Sequence, residues 1–411
     1  MDIMAIVSWS IVILAILVHA AHSPRAGSLF WTYQNAGRDW LQGQDLYRYR
    51  GFALDQGSFI YSPLAAALFV PFSILGDSLS NVFWRVLCLS AFLGSVWWWL
   101  RNRLHHRISA SQYGAVFLLL LPFSVGNVNS GQANLLVISL IMLGIINAKL
   151  NRWTLSALCV ALAAYYKIYP LAVGLLLSLV FPRQFSWRLL MALIALGCFS
   201  FLLQRPAYVL QQYGHWIANR VADDRQMAPM RMAPRDLWLL LRLLHCPLDP
   251  LGYKAIQLLG GLGIASLCLV GNLKNWHRDR LLTGLFSLVS CWMVLLGPAT
   301  EPATYILLAP AVVLALIEGF SQPIHSWMCC ILVAAFVLLL TAVGFNSFGE
   351  FNHFPFNIFQ PLGALRFSIY VVVWLLNSSL WNENPRCSGA AKIRPGGNCK
   401  TLITIREVTG S

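Results

Sequence analysis

Three carboxylates are candidates for proton-transfer chemistry in a chain that has only 15 acidic residues among 411. Asp39 and Asp45 lie in a polar segment, residues 22–58, that is rich in tryptophan, tyrosine and arginine. Glu301 lies in the sequence GPATEPATY between two apolar runs. A carboxylate can take the proton of a hydroxyl group while the oxygen forms a new bond. The alternatives are that the two aspartates are solvated or cap helices, and that Glu301 caps the following helix.

Basic and amide side chains are candidates for substrate binding. Lys167 interrupts an apolar run within YYKIYP, so it either faces a cavity or partner, such as a phosphate, or extends to the membrane interface. Arg235 ends an arginine-rich segment, residues 204–236, and guanidinium groups bind phosphate well. Gln132 and Asn134 open a helix, where their amides either bind sugar hydroxyls or cap that helix.

Membrane-spanning helices must hold these residues. The chain is 58% hydrophobic and 11% charged, whereas a soluble domain has about 25% charged residues. We therefore predict an all-α polytopic integral membrane protein with about twelve transmembrane helices, outer-face loops and short interfacial helices. The predicted spans are 3–21, 81–100, 113–125, 133–148, two short helices within 155–181 that meet at Lys167, 189–203, 255–271, 281–297, 303–318, 327–345 and 362–376. Segments 59–76 and 237–244 are candidates for re-entrant or interfacial structure.

The charged loops predict an orientation. Four short loops are basic and should face the cytoplasm, namely 101–107, 149–152, 183–188 and 272–280. They explain the net charge of +14 without nucleic-acid binding. If 59–76 does not cross and Lys167 marks an outer turn, the polar loops converge on the opposite face. We predict one transmembrane domain, residues 1–376, with outer loops 22–58 and 204–236, and a polar, disordered cytoplasmic tail, residues 377–411.

Nucleotide and metal motifs are absent from the sequence. Without a soluble nucleotide-binding domain, a membrane transferase would take its sugar from a lipid phosphate carrier. No cofactor is predicted. The aspartates of segment 204–236 are expected to pair with its arginines, although a divalent ion is an alternative.

Four sequence blocks resemble glycosyltransferase family 87. They are AGRDWLQGQDLY, FIYSPLAAALFVPF, SGQANLLVISLIML and ALAAYYKIYPLAVGLLL, and they lie in order between Trp31 and Arg188. The family comprises polytopic enzymes of the C-type glycosyltransferase superfamily, typified by polyprenol-phosphate-mannose-dependent mannosyltransferases. The resemblance implies an active site at the outer face and a lipid-phosphate sugar donor.

The resemblance also implies roles for individual residues. Those that match family motifs are Asp45 in the GQDLY block, Tyr61 in the YxP block, Gln132 and Asn134 in the GQxN block, and Lys167 and Tyr169 in the KxYP block, where the carrier phosphate is expected. The catalytic aspartate of the family would fall near Ser28 or Leu29, and no acid is present there. The base would then be Asp45, Asp39 or Glu301, and Asp39 has no family counterpart.

We therefore predict an inverting hexosyltransferase of the bacterial inner membrane whose active site faces the periplasm. It would move a hexose, with mannose as the family's typical sugar, from a polyprenyl-phosphate donor to a lipid or glycan acceptor. Lys167 and Arg235 would hold the donor phosphate. Membrane lipids are expected partners and nucleic acid is not. The alternatives are a transporter or lipid flippase, and a catalytically altered assembly partner.

Overall fold

Helices make up all regular structure in the described part of the chain. The computed structural model describes residues 2–23, 28–48, 59–102, 104, 108–222, 230, 233–246, 248–298, 300–321, 326–347 and 356–377. In chain order the α-helices are α1 (Asp2–His22), α2 (Phe30–Gln42), α3 (Pro63–Leu68), α4 (Val70–Ile74), α5 (Asp77–Arg101), α6 (Tyr113–Ser130), α7 (Asn134–Lys149), α8 (Trp153–Tyr166), α9 (Leu171–Val180), α10 (Trp187–Leu203), α11 (Pro206–Val221), α12 (Leu237–Leu243), α13 (Pro250–Leu273), α14 (Arg278–Leu295), α15 (Ala309–Phe320), α16 (Ser326–Ser347) and α17 (Phe359–Leu376). This confirms the predicted all-α polytopic fold.

Within the described ranges, seven helices are long and apolar enough to cross a membrane, namely α1, α5, α6, α10, α13, α16 and α17, where a short 3₁₀ turn extends the start of α6 and a π-helical turn that of α10. Four shorter apolar helices, α7, α8, α9 and α15, accompany them. About twelve spans were predicted from apolar runs of roughly 20 residues. The number that meets the criteria is smaller because these four helices are short and because α14, which has 18 residues, begins with three charged residues. A short helix is tolerated at membrane depth where protein surrounds it, and α7 and α15 are almost entirely buried.

The basic loops meet at one end of the bundle, as their charge predicted. Lys149 Nζ lies 2.9 Å from Asp279 Oδ1 and donates to the Asn102 carbonyl at 2.7 Å. Arg278 donates to Asn151 Oδ1 at 2.8 Å. The loops after α5, after α7 and before α14 therefore lie together.

Short helices cover the other end of the bundle. Segment 59–76 folds into α3 and α4, whose six and five residues are too few to cross a membrane. Segment 237–244 contains the seven-residue α12. Each of the two predicted loops contains a helix in its described part: 22–58 contains α2 and 204–236 contains α11. The tail beyond residue 377 lies outside the described residues.

Helix α2 packs closely on the α3–α4 pair. Gln34 Nε2 donates to the Phe72 carbonyl at 3.1 Å. A Cβ added at Gly37 would lie 2.9 Å from the Phe69 carbonyl oxygen, so only glycine allows this approach. Phe69 also packs on Trp84 of α5, with ring centroids 4.5 Å apart. Residues 28–48, the first outer segment of the prediction, are thus anchored to the bundle.

Candidate functional site

The helix break at Lys167 forms one wall of a cleft. Helix α8 ends at Tyr166, Lys167 is extended (φ −145°, ψ 135°), and α9 begins after Pro170. Proline disfavours helical conformation in the residue before it, here Tyr169. The Lys167 ammonium lies 5.6 Å from the centroid of the Tyr169 ring. The predicted pair of short helices meeting at Lys167 is confirmed.

Four of the predicted site residues share this cleft: Tyr61, Lys167, Tyr169 and Glu301. The cleft is narrow, with a volume of about 60 Å³. The remaining wall residues are Ile60, Tyr166, Ile168, Trp216, Arg220, Pro298, Thr300 and Thr304. A cation and a carboxylate from distant parts of the sequence therefore face one space.

The backbone on both sides of Glu301 is held by other elements. Three hydrogen bonds do this: Arg235 N–H to the Thr300 carbonyl at 2.8 Å, Gln360 Nε2 to the Pro302 carbonyl at 3.0 Å, and Asn127 Nδ2 to the Ala303 carbonyl at 3.0 Å. The donors belong to the segment before α12, to α17 and to α6. A 3₁₀ helix, Pro302–Leu307, continues from the turn. Three other elements therefore hold the backbone that carries the Glu301 carboxylate.

Arg235 lies behind the Glu301 turn and is not among the cleft-lining residues. Its side chain is 4% exposed, and Nη1 donates to Gln360 Oε1 at 3.1 Å. Its carbonyl accepts from Tyr305 Oη at 2.7 Å. Burial lowers the pKa of Arg235 to about 10, so the side chain remains charged at neutral pH. This geometry supports a positioning role.

Gln132 and Asn134 are not among the cleft-lining residues, but they contact a residue that holds the Glu301 turn. Asn134 Nδ2 donates to Gln132 Oε1 and, at 3.0 Å, to Asn127 Oδ1. Asn127 is the residue that binds the Ala303 carbonyl. The two amides therefore orient a contact of the Glu301 turn.

Tyr61 is fixed by contacts from three directions. Its hydroxyl lies 2.8 Å from that of Tyr33 in α2. Its carbonyl accepts from Tyr47 Oη at 2.5 Å. The neighbouring Ile60 carbonyl accepts from Trp216 Nε1 of α11 at 3.3 Å. The first outer segment, α3 and α11 therefore meet at the cleft.

Asp39 and Asp45 pair with other side chains and are not among the cleft-lining residues. Asp39 Oδ1 pairs with Arg48 Nη2 at 2.5 Å. Asp45 Oδ1 lies 3.0 Å from His215 Nδ1 and accepts from the Tyr47 N–H at 3.0 Å. Since His215 belongs to α11, the Asp45 contact joins the first outer segment to that helix.

An arginine lies beside the position where the family aspartate was expected. Ser28 Oγ accepts from Arg85 Nη2 at 3.2 Å, and the same nitrogen donates to the Asn129 carbonyl at 2.7 Å. Arg85 is 3% exposed. A hydroxyl and a carbonyl, rather than a carboxylate, therefore accept hydrogen bonds from this cation.

Sequence reasoning did not assign a site role to two conspicuous wall residues, Trp216 and Arg220. They lie four positions apart, so they share one face of α11. The buried residues Val209 and Gln212 precede them at helical spacing. This amphipathic spacing could have predicted the helix from the sequence, but segment 204–236 was interpreted as a loop.

Metal ligands are not grouped in the described ranges, where no cluster of three or more His, Cys, Asp or Glu residues is found. Asp223 and Asp224, two of the three aspartates of segment 204–236, lie outside those ranges, and the third, Asp236, is buried.

The fold and cleft define a polytopic membrane protein with a polar cavity at one end of its helical bundle. The chain matches glycosyltransferase family 87 over residues 59–298, more than half of its 411 residues, and it belongs to that family. No curated protein matches it. Tyr61, Lys167 and Tyr169 lie within the matched region. The three candidate acids lie outside it.

The buried carboxyl of Asp236 predicts a pH-dependent stability. Asp236 caps α12 by accepting from the Leu239 N–H at 3.3 Å, is 0% exposed, and has its pKa raised to about 7 by burial. A group with a raised folded-state pKa stabilises the fold at low pH, and this contribution is lost as the pH rises from its unfolded pKa to its folded pKa. Between pH 5 and pH 7 we expect the free energy of unfolding to fall by about 2 kcal/mol.

Thermal unfolding in detergent measures this effect. Asp236→Asn keeps a capping side chain but cannot ionise. The melting temperature of the wild type should therefore fall relative to that of the variant between pH 5 and pH 7. Parallel pH profiles of the two proteins would contradict the prediction.

Proposed function

We propose that this membrane glycosyltransferase moves a hexose from a polyprenyl-phosphate donor to a hydroxyl group of a lipid or glycan acceptor. The observation that carries the proposal is the shared cleft of Lys167 and Glu301. Sugar transfer from a phosphate needs a base for the acceptor and positive charge for the leaving group. Both are available within this one space.

Glu301 serves as the base in this proposal. The acceptor oxygen attacks the anomeric carbon and forms the new C–O bond while the bond from that carbon to the phosphate oxygen breaks. The acceptor proton passes to the Glu301 carboxylate. One displacement inverts the anomeric configuration. The fixed backbone of the turn supports this role because a base must be held within hydrogen-bonding reach of its proton.

Lys167 and Arg220 stabilise the departing phosphate. Both line the cleft, one from the α8–α9 break and the other from α11. The phosphate gains negative charge as the glycosidic bond breaks, and fixed cations favour that charge. Arg235 contributes by holding the Glu301 turn.

An apolar groove beside the cleft supports a long-chain lipid donor. It measures about 520 Å³ and runs between α9, α13 and α14. Ala172, one helical turn beyond Tyr169, lies at its wall. Gln257, another wall residue, donates to the Leu296 carbonyl at 2.7 Å, two positions before Pro298 of the cleft. A phosphate at Lys167 would thus place its prenyl chain next to this groove.

Filling the groove should discriminate between donors by chain length. Ala265→Phe adds a ring at the groove wall. We expect it to raise KM about 10-fold for a long polyprenyl-phosphate sugar and to leave a short-chain analogue nearly unaffected, because several buried methylenes lose their contacts. Steady-state transfer assays with both donors test this.

Ala255→Phe is the matched control. Ala255 lies on the same helix, is exposed, and is not a groove residue. An equal KM increase for both donors with Ala265→Phe, or the same chain-length effect with Ala255→Phe, would contradict this placement of the chain.

The outer face of a bacterial inner membrane is the proposed location of the reaction. The support is the grouping of the basic loops at the bundle end opposite the cleft, since such loops remain in the cytoplasm.

Proteoliposomes with labelled polyprenyl-phosphate hexose test the proposed function. The expected result is labelled sugar bonded to the acceptor together with free polyprenyl phosphate. Movement of intact donor across the bilayer without a covalent product would instead identify a flippase. Product formation that depends on another transferase would identify an assembly partner.

A further inference from the structure

A second groove lies at the basic end of the bundle, between α1, α5 and α6. It measures about 1140 Å³, which exceeds the roughly 300–1,000 Å³ of small-molecule pockets. Most of its wall is apolar and includes Ile6, Ile13, Leu93 and Phe117. Only one side of α1 is covered by protein, and Ile6 is 65% exposed. The groove therefore opens towards the membrane.

Helix directions place one end of this groove far from the cleft. Asn81 Nδ2, near the start of α5, donates to the Ala20 carbonyl near the end of α1 at 3.1 Å, so these helices are antiparallel. Trp9 Nε1 donates to the Phe117 carbonyl of α6 at 3.0 Å. The start of α1, the end of α5 and the start of α6 thus lie at one level. The length of α6, about 27 Å for 18 residues, separates this level from the cleft end.

Two opposite charges line the groove at that level. Asp2 and Arg101 are both exposed and both belong to its wall. Within the described ranges neither side chain forms an ion pair. Arg101 lies 6.0 Å from the Trp97 ring centroid, and Trp97 meets Tyr113 edge to face at 5.8 Å. Tryptophan and tyrosine are enriched where lipid headgroups meet the hydrocarbon.

We propose that this groove binds one phospholipid whose headgroup carries both a phosphate and a primary ammonium. The phosphate pairs with Arg101, the ammonium pairs with Asp2, and an acyl chain follows the apolar wall. Charges at a membrane need partners of opposite sign. A purely anionic headgroup would satisfy Arg101 and be repelled by Asp2, so the pair of charges selects a zwitterionic lipid. This proposal is independent of the sugar-transfer reaction.

Native mass spectrometry tests the proposal on the full chain released from nanodiscs that contain equal amounts of phosphatidylethanolamine and phosphatidylglycerol. The wild type should retain one phosphatidylethanolamine, at least 10-fold in excess over phosphatidylglycerol. Arg101→Gln should lower retention of both lipids about 10-fold, and Arg101→Lys should restore it. Asp2→Asn should reverse the selectivity in favour of phosphatidylglycerol.

Arg188→Gln is the matched control, because Arg188 also lies over a tryptophan, 4.4 Å from the Trp187 ring centroid. It should leave lipid retention unchanged. Equal retention of both lipids by the wild type would overturn the proposal. The same loss with Arg188→Gln would overturn it as well. A lipid-free dimer formed through α1 would show that a second copy covers the groove.

Discussion

Glu301→Gln is expected to lower the turnover number for sugar transfer about 10²–10⁴-fold while donor binding remains close to wild type. The amide has nearly the same shape as the carboxylate and cannot take the acceptor proton. Glu301 is the candidate acid that lines the cleft with Lys167. Initial rates in proteoliposomes, combined with donor-binding measurements, separate the chemical step from binding.

Asp39→Asn and Asp45→Asn are the matched controls. Each removes one carboxylate charge from the proposed outer end of the bundle, and each residue already pairs with a neighbouring side chain, Arg48 or His215. We expect activity within about 5-fold of wild type, because surface ion pairs contribute little. Full activity in a triple variant of Asp39, Asp45 and Glu301 would eliminate the carboxylate mechanism. A large loss with Asp45→Asn alone would move the base to the first outer segment.

Lys167→Met is expected to lower kcat/KM for the donor about 10²–10³-fold. Methionine retains much of the length of the side chain and removes the charge that is proposed to face the leaving phosphate. Lys167→Arg keeps the charge and should recover part of the activity. Arg220→Gln should cause a smaller loss, about 10-fold, if the two cations share the phosphate. Steady-state rates over a range of donor concentrations provide these values.

Lys254→Met is the control for this series. Lys254 is an exposed lysine at the start of α13 and is not a cleft residue. Its replacement should leave kcat/KM unchanged. Wild-type kinetics in Lys167→Met would mean that the phosphate binds away from the helix break.

The helix break was predictable because its causes are local. A lysine in an apolar run, followed three positions later by Pro170, indicates an interruption whatever surrounds it. The basic loops were likewise predictable, because their basic residues lie close together in short stretches of the sequence. Both features appear in the structure where the sequence placed them.

Which of the three acids lines the cleft was not predictable because it depends on packing between distant segments. Asp39 and Asp45 stood among aromatic residues in sequence, yet their contacts turn them towards Arg48 and His215. Glu301 faces the cleft because separate helices hold its backbone. No local pattern encodes those contacts.

Helix α11 was not predicted because its many polar residues favoured a loop, although its inward-facing residues have helical spacing. Apolar periodicity separates helix from loop only when it is tested over a window of 11–18 residues. Along 206–221 the inward face carries Gln212 and Arg220 as well as apolar residues, so the apolar periodicity is weak. Arg220 was therefore left without a site role in the sequence analysis.

The support of the Glu301 turn sets an order for the biosynthesis of the active site. Gln360, which holds the Pro302 carbonyl, is made 59 residues after Glu301 (360 − 301). A ribosome that has completed the family-matched region, residues 59–298, has made Lys167 and two of the three donors to the turn, Asn127 and the Arg235 N–H, but neither Glu301 nor Gln360. A chain that ends before α17 would therefore be inserted without the third of these hydrogen bonds. The turn would acquire its full support only when the last described helix joins the bundle.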